Sequence, residues 1–87
     1  MSLNSDELKK KIIYRSTYRG SKEMDMFLRS FVDSIINNLN KNDLQNLLNL
    51  LNVDDENLYK FKQGKKNLLN IHENRITKLF QNYIYHK

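Results

Sequence analysis

Residues 21–39, SKEMDMFLRSFVDSIINNL, contain the clearest periodic pattern in the 87-residue chain. Apolar residues recur in this stretch at intervals of three and four, which is the spacing of one face of an α-helix. Ser21 precedes the pattern and is suited to cap the helix. The apolar face consists of Met24, Phe27, Leu28, Phe31, Val32, Ile35 and Leu39. The stretch therefore predicts an amphipathic helix that packs against other helices.

Upstream of this stretch, a first helix is predicted with Ser5 as its N-cap. Its buried face would be formed by Leu8, Ile12 and Ile13. The helix should end near Arg19-Gly20, because glycine commonly adopts the left-handed conformation that closes a helix.

Three further helices are predicted downstream, after a turn that follows residues 21–39. Asn42 and Gln45 resemble a capping box that opens the third helix. Asp54 can cap a short fourth helix, which Gly64 ends, and the final helix covers about residues 67–85. The predicted buried residues of these helices are Leu44, Leu47, Leu48, Leu51, Leu58, Phe61, Leu69, Ile76, Leu79, Phe80 and Tyr83.

Length and composition restrict the class of protein. A chain of 87 residues allows one domain, so we predict an all-α fold, a single compact five-helix bundle over residues 1–87. The absence of cysteine excludes a disulfide framework and a thiolate metal site. No apolar run is long enough for membrane insertion, and the polar first residues do not resemble a targeting leader. A bacterial cytoplasmic location is expected, or the mitochondrial matrix for an organelle protein trimmed of its leader.

Few residues of the chain suggest chemistry of their own. His72 and His86 lie fourteen residues apart without a carboxylate at metal-ligand spacing. The acidic triplet at residues 54–56 falls at a predicted helix start, where capping and the helix dipole account for it. No arrangement of nucleophile and base and no phosphate-binding loop can be assembled. We therefore predict no catalytic, cofactor-binding or metal-binding residues, and no enzymatic activity.

The net charge of +5 raises the alternative of a small nucleic-acid-binding domain. The positive charge lies mostly in two patches, residues 9–22 and residues 60–66. Glu23 and Asp25 follow the first patch at once and would repel a phosphate backbone. Arg19 offers a planar group of several donors, and Gly20 lets another backbone approach closely. This mixture of charges favours recognition of a protein surface over nucleic acid. A structural interaction module with an unrelated partner is a second alternative.

The sequence contains the motifs Arg15-Ser16-x-x-Arg19-Gly20-x-x-Glu23-Met24-Asp25, Asp54-Asp55-x-x-Leu58-Tyr59 and Gly64. In these motifs it resembles a known family, the SdhE family of succinate dehydrogenase flavinylation factors, called assembly factor 2 in mitochondria. The resemblance covers about residues 9–64, and the helix at about 67–85 is not diagnostic. Tyr18 stands where the family often has a second basic residue, and Phe61 stands where it usually has tryptophan.

The resemblance implies a five-helix protein that binds the flavoprotein subunit of succinate dehydrogenase, and in some bacteria that of fumarate reductase. It implies that the chain promotes covalent attachment of FAD to a histidine of that subunit. The partner would hold the FAD and catalyse its own flavinylation, and the free chain would be a monomer without a stably bound cofactor. The resemblance makes Arg15, Arg19, Gly20, Glu23 and Asp25 the partner-binding residues. Arg19 is expected to pair with a carboxylate or carbonyl of the partner.

Overall fold

The main chain forms five α-helices in the part of the chain that the structure describes. The structure is a computed structural model that describes residues 4–17, 19, 21–64 and 73–84. The helices are α1 (Ser5–Thr17), α2 (Lys22–Ile35), α3 (Lys41–Leu51), α4 (Asp55–Lys62) and α5 (Arg75–Asn82), with a 3₁₀ turn at Ile36–Asn38. The described ranges contain no strand, and the predicted all-α five-helix bundle is confirmed.

The apolar faces of the helices meet in one core. Helix α1 packs against α2 and α3, and α5 packs against α3 and α4. Helix α3 is buried over a wider face than predicted, because Leu50 is buried beside the expected leucines. The core residues are Leu8, Ile12, Leu28, Phe31, Val32, Ile36, Leu44, Leu47, Leu48, Leu50, Leu51, Leu58, Phe61, Ile76 and Phe80.

Helix α5 is attached to the bundle through aromatic side chains and main-chain contacts. The Phe80 ring lies 5.5 Å from the Phe31 ring in an edge-to-face arrangement and 6.3 Å from the Phe61 ring in a stacked one. Next to these rings, Lys62 Nζ donates to the Gln81 carbonyl at 2.8 Å, and Gln81 Nε2 donates to the Phe61 carbonyl at 3.2 Å. The last helix is therefore an integral part of the core.

The limits of α1 differ from those predicted. Asn4 caps the helix instead of Ser5, since the Glu7 amide donates to Asn4 Oδ1 at 2.8 Å. The helix ends at Thr17, two residues before the predicted end. Leu8 and Ile12 are buried as predicted, whereas Ile13 is exposed because it lies on the side of the helix that faces away from α2 and α3.

The start of α3 also differs from the prediction. Asn40 is the N-cap, and its Oδ1 accepts from the Asp43 amide at 2.8 Å. The predicted capping box of Asn42 and Gln45 is wrong, because both residues lie inside the helix. Gln45 Nε2 instead donates to Asn49 Oδ1 one turn later, at 3.1 Å.

Helix α2 begins as predicted but ends earlier. Ser21 caps it by accepting from the Met24 amide at 3.1 Å, which confirms the predicted N-cap. The α-helix stops at Ile35 and tightens into the 3₁₀ turn, so Leu39 lies beyond it in extended backbone. Leu39 still packs against the core, because the turn brings its side chain back onto the bundle.

The predicted limits of the final helix, about 67–85, are wrong in the described residues: α5 covers Arg75–Asn82, and residues 73–74 and 83–84 on either side of it are not helical. Helix α5 begins with a capping box, in which the N-cap Asn74 and Thr77 of the first turn exchange side-chain to main-chain hydrogen bonds. Of the predicted face, Ile76 and Phe80 are buried, but Leu79 is exposed. Leu69 and residues 67–72 and 85 lie outside the described residues.

Candidate partner-binding site

The chain changes direction between α1 and α2, where the sequence places the candidate site. Two side chains close the end of α1: Ser16 Oγ and Thr17 Oγ1 donate to the Ile13 carbonyl at 2.8 and 2.6 Å. Ser21 then opens α2 as its N-cap. We call residues 15–25 the α1–α2 corner. Tyr18 and Gly20 belong to it but lie outside the described residues.

The guanidinium group of Arg19 points into the fold. Its Nε donates to Asp55 Oδ1 at 2.7 Å. Its Nη1 donates to the Leu51 carbonyl at 2.7 Å, and its Nη2 donates to the Val53 carbonyl at 2.6 Å. Only 10% of the Arg19 side chain is exposed. This geometry disfavours the predicted pairing of Arg19 with an acceptor of a partner, because most of the guanidinium donors already bind acceptors within the chain.

The acceptors of Arg19 lie at the junction between α3 and α4. The last carbonyls of a helix have no partner inside the helix, and α3 has no basic residue in its last turn. From the α1–α2 corner, Arg19 satisfies the carbonyl of Leu51, the last residue of α3, as a cation near a helix C-terminus commonly does. It also binds the Val53 carbonyl just beyond the helix. A side chain that precedes α2 therefore stabilises the end of α3.

The backbone of Arg19 is held by α2. The Arg19 amide donates to Asp25 Oδ1 at 2.6 Å, and Asp25 is half-buried. Asp25 also lies in the first turn of α2, where a carboxylate interacts favourably with the helix dipole. The predicted site residue Asp25 thus stabilises the corner from within.

Two of the predicted site residues face solvent. Glu23, in the first turn of α2, and Arg15, in the last turn of α1, are both exposed. Neither side chain makes a hydrogen bond or ion pair with any residue that the structure describes. The corner therefore presents one carboxylate and one guanidinium that are available to a partner, while Arg19 and Asp25 hold its shape.

The three acidic residues at 54–56 make different contacts, and the predicted role at a helix start does not account for all of them. Asp54 occupies the N-cap position of α4, but its side chain makes no capping hydrogen bond. It accepts instead from Asn57 Nδ2 at 2.6 Å. Asp55 binds Arg19, and Glu56 pairs with Lys60 at 3.3 Å. Asp55 is therefore a residue of the site's framework that the sequence interpretation missed.

A groove of about 860 Å³ lies beside the corner. Glu23 lines it together with Met26 from α2 and Tyr59 from α4, and Phe27 and Leu58 are also among its lining residues. Met26 and Tyr59 are exposed although both are large and apolar. An apolar surface of this kind, bordered by charges, is typical of a site that contacts another protein.

Other sites are not found in the described part of the chain. No group of three histidine, cysteine, aspartate or glutamate side chains there could hold a metal ion. None of the helices described has both the length and the apolar content needed to cross a bilayer. His72 and His86 lie outside the described residues.

The fold and the corner define a small all-α protein with a charged corner between its first two helices, and comparison with known proteins assigns its family. Residues 10–84 match the family model described as the flavinator of succinate dehydrogenase, Sdh5. The chain belongs to this family, and the resemblance drawn from the sequence is confirmed.

A curated relative is the "Succinate dehydrogenase assembly factor 2, mitochondrial" of Arabidopsis thaliana, to which the chain is 29% identical over 65 residues. The match covers 70% of this chain and 35% of the relative, so the chain spans about a third of the length of that protein. No solved structure matches the chain.

Proposed function

We propose that this chain is an assembly factor that binds the flavoprotein subunit of succinate dehydrogenase and promotes covalent attachment of FAD to it. The family description and the name of the Arabidopsis relative support this role. The bound partner would be a flavoprotein subunit, with that of fumarate reductase as a second client in some bacteria. The chain would act as a monomer without an enzymatic activity of its own, in the bacterial cytoplasm or the mitochondrial matrix.

The observation that most supports this proposal is the arrangement of the α1–α2 corner. Its inner residues are tied down by short hydrogen bonds, from the Arg19 amide to Asp25 and from the Arg19 side chain to Asp55. Its outer residues, Arg15 and Glu23, are exposed charges. A rigid surface with charged groups already in place loses little conformational entropy on binding, which favours specific recognition of a protein.

The groove extends this surface with apolar area. A protein interface generally combines an apolar centre with a polar rim. Met26 and Tyr59 would supply apolar contacts next to the charged group of Glu23, which lines the same groove. Methionine adapts its shape to a partner, and tyrosine provides a large contact area at low entropic cost.

The chemistry of flavinylation would be supplied by the partner, in which a histidine nitrogen bonds to the methyl carbon of the isoalloxazine. The histidine N–H and one methyl C–H bond are broken, and the oxidised isoalloxazine ring of the same FAD takes up the two electrons. The chain would contribute geometry by holding the partner in the conformation that brings these two groups together. Correct orientation of reacting groups alone can account for about 7–11 kcal/mol of a reaction barrier. No acid or base from the chain is needed for such an effect.

The proposal is tested by co-expressing the flavoprotein subunit with variants of this chain and measuring covalent flavin as in-gel fluorescence. Glu23→Gln should lower covalent flavin, because it removes an exposed charge of the corner. Asp33→Asn is the matched control, since Asp33 is an exposed acid of the same helix outside the corner. Gly20→Arg should abolish covalent flavin, with the helical circular dichroism nearly unchanged. Normal covalent flavin in both corner variants would show that the corner is not the working surface.

The contribution of the groove is tested with a second pair of variants. Met26→Glu places a charge beside the apolar lining and should weaken binding of the flavoprotein subunit at least tenfold, about 1.4 kcal/mol. Leu79→Glu is the control, because Leu79 is comparably exposed and does not line the groove. Equal binding by the two variants would exclude the groove from the interface.

A further inference from the structure

We infer that Asp55 is a positioning residue of the partner-binding site, acting through Arg19. This inference rests on the proposed function and extends it to a residue 36 positions from Arg19 that faces the interior of the site. Asp55 would not touch the partner. It would determine where the α1–α2 corner lies relative to the rest of the bundle.

The contacts of Arg19 make this link direct. The side chain of Arg19 binds the α3–α4 junction, while its backbone amide binds Asp25 of α2. A single residue therefore connects three elements, and the location of its backbone depends on what holds its side chain. Among the described acceptors of the Arg19 side chain, Asp55 is the only charged one, and hydrogen bonds between two charged groups are stronger than those to a carbonyl.

The carboxylate of Asp55 is itself held in place. It lies in the first turn of α4, where the helix dipole favours a negative charge. Its side chain is 28% exposed, so water screens the pair only in part. Because Asp55 is fixed on a helix, it can fix Arg19 in turn.

Loss of this link would act on binding through the population of the correct corner conformation. Glu23 lies two residues before Asp25, so movement of the corner would also shift the Glu23 carboxylate, which we propose binds the partner. If only a tenth of the molecules keep the corner in place, the apparent affinity falls tenfold. Such a loss occurs without any change in the groups that touch the partner.

A second Arg-Asp ion pair of the chain serves as a control for the loss of the Arg19–Asp55 pair. Arg75 Nη1 donates to Asp43 Oδ2 at 3.2 Å, which links α3 to α5. The Asp43 side chain is 9% exposed, so it is at least as buried as that of Asp55. Neither Asp43 nor Arg75 belongs to the corner. Asp43→Asn therefore disturbs another Arg-Asp pair of the bundle, one whose arginine is 64% exposed where that of Arg19 is 10% exposed.

The experiment measures the affinity of each variant for the purified flavoprotein subunit, together with covalent flavin and the melting temperature. Measurements are made well below the melting temperature, where circular dichroism shows each variant to be folded. Asp55→Asn should weaken binding about tenfold, which corresponds to about 1.4 kcal/mol. Asp43→Asn should change affinity less than about twofold. In an Arg19→Gln background, adding Asp55→Asn should have no further effect on affinity, because the link is already broken.

Three results would overturn the inference. If Asp55→Asn binds the subunit with wild-type affinity, Asp55 does not position the corner. The proposed function still stands in that case if Glu23→Gln lowers covalent flavin. Equal losses for Asp55→Asn and Asp43→Asn would show a general effect of stability. If the wild-type chain neither binds the subunit nor raises its covalent flavin, the proposed function is wrong and the inference falls with it.

Discussion

Replacement of Arg19 by glutamine should destabilise the fold far more than the same replacement of Arg15, although both arginines belong to the same motif. Arg19 donates to three acceptors at 2.6–2.7 Å, whereas the side chain of Arg15 has no partner among the described residues. The contrast between the two variants therefore measures what the inward orientation of Arg19 contributes to stability.

The magnitude follows from the contacts. A hydrogen bond that involves a charged group contributes about 1.5–3 kcal/mol, and these contributions are not additive within one network. The Asp55 side chain is 28% exposed, so water replaces part of what is lost. We expect Arg19→Gln to lower the free energy of unfolding by about 2–4 kcal/mol. Arg15→Gln should change it by less than about 0.5 kcal/mol.

Urea denaturation followed by circular dichroism measures both values, and thermal unfolding provides a second measurement. In a domain of this size, 1 kcal/mol corresponds to a shift of about 4–8 °C in melting temperature. Arg19→Lys should fall between the wild type and Arg19→Gln, because lysine keeps the charge but cannot reach all three acceptors with one ammonium group. Equal stabilities for Arg19→Gln and Arg15→Gln would refute the assignment of Arg19 to the interior.

Three further predictions concern the helices that carry the site, and denaturation midpoints check all of them. Phe80→Ala should lower the free energy of unfolding by about 3–5 kcal/mol because Phe80 is 1% exposed, and a small loss would show that α5 is not part of the cooperative core. Asn40→Ala should cost about 1 kcal/mol as the loss of a helix cap, and an equal loss in Asn42→Ala would contradict the assigned start of α3. Gly64→Ala should cost about 1–2 kcal/mol, because Gly64 has φ +79°, a conformation that a residue with a Cβ disfavours. The Cβ would meet no atom within 4 Å, so the backbone conformation alone would cause the loss. A neutral effect there would mean that the positive φ is not required.

Most of the fold could be predicted from the sequence because helical periodicity reports burial directly. The apolar positions of residues 21–39 predicted the face of α2, and the buried leucines of α3 followed the same rule. Helix starts were less accurate. The chain is rich in asparagine, and several neighbouring residues can act as the cap. The choice of Asn4 and Asn40 depends on geometry that the sequence does not reveal.

The candidate site was predictable in location but not in the orientation of its side chains. The motif from Arg15 to Asp25 indicated a charged corner, and the structure places Glu23 and Arg15 on its surface. Nothing in the sequence indicated that Arg19 turns inward, because its acceptors lie 32 to 36 residues away. For the same reason Asp55 was interpreted as part of a helix start and of a family motif, and its contact with Arg19 was not predicted. Contacts over such distances depend on how the helices pack and leave no periodic signal.

The Arg19–Asp55 pair also provides a spectroscopic probe. The Arg19 Nε–H donates to Asp55 Oδ1 with the two heavy atoms 2.7 Å apart, so its proton should exchange with water more slowly than that of a free guanidinium. The Arg19 amide, held by Asp25 at 2.6 Å, is a second reporter a few bonds away. Two resonances of one residue therefore monitor the interior of the corner separately from its surface. Nuclear magnetic resonance could follow them while a partner occupies the outer face, without a label on either protein's contact residues.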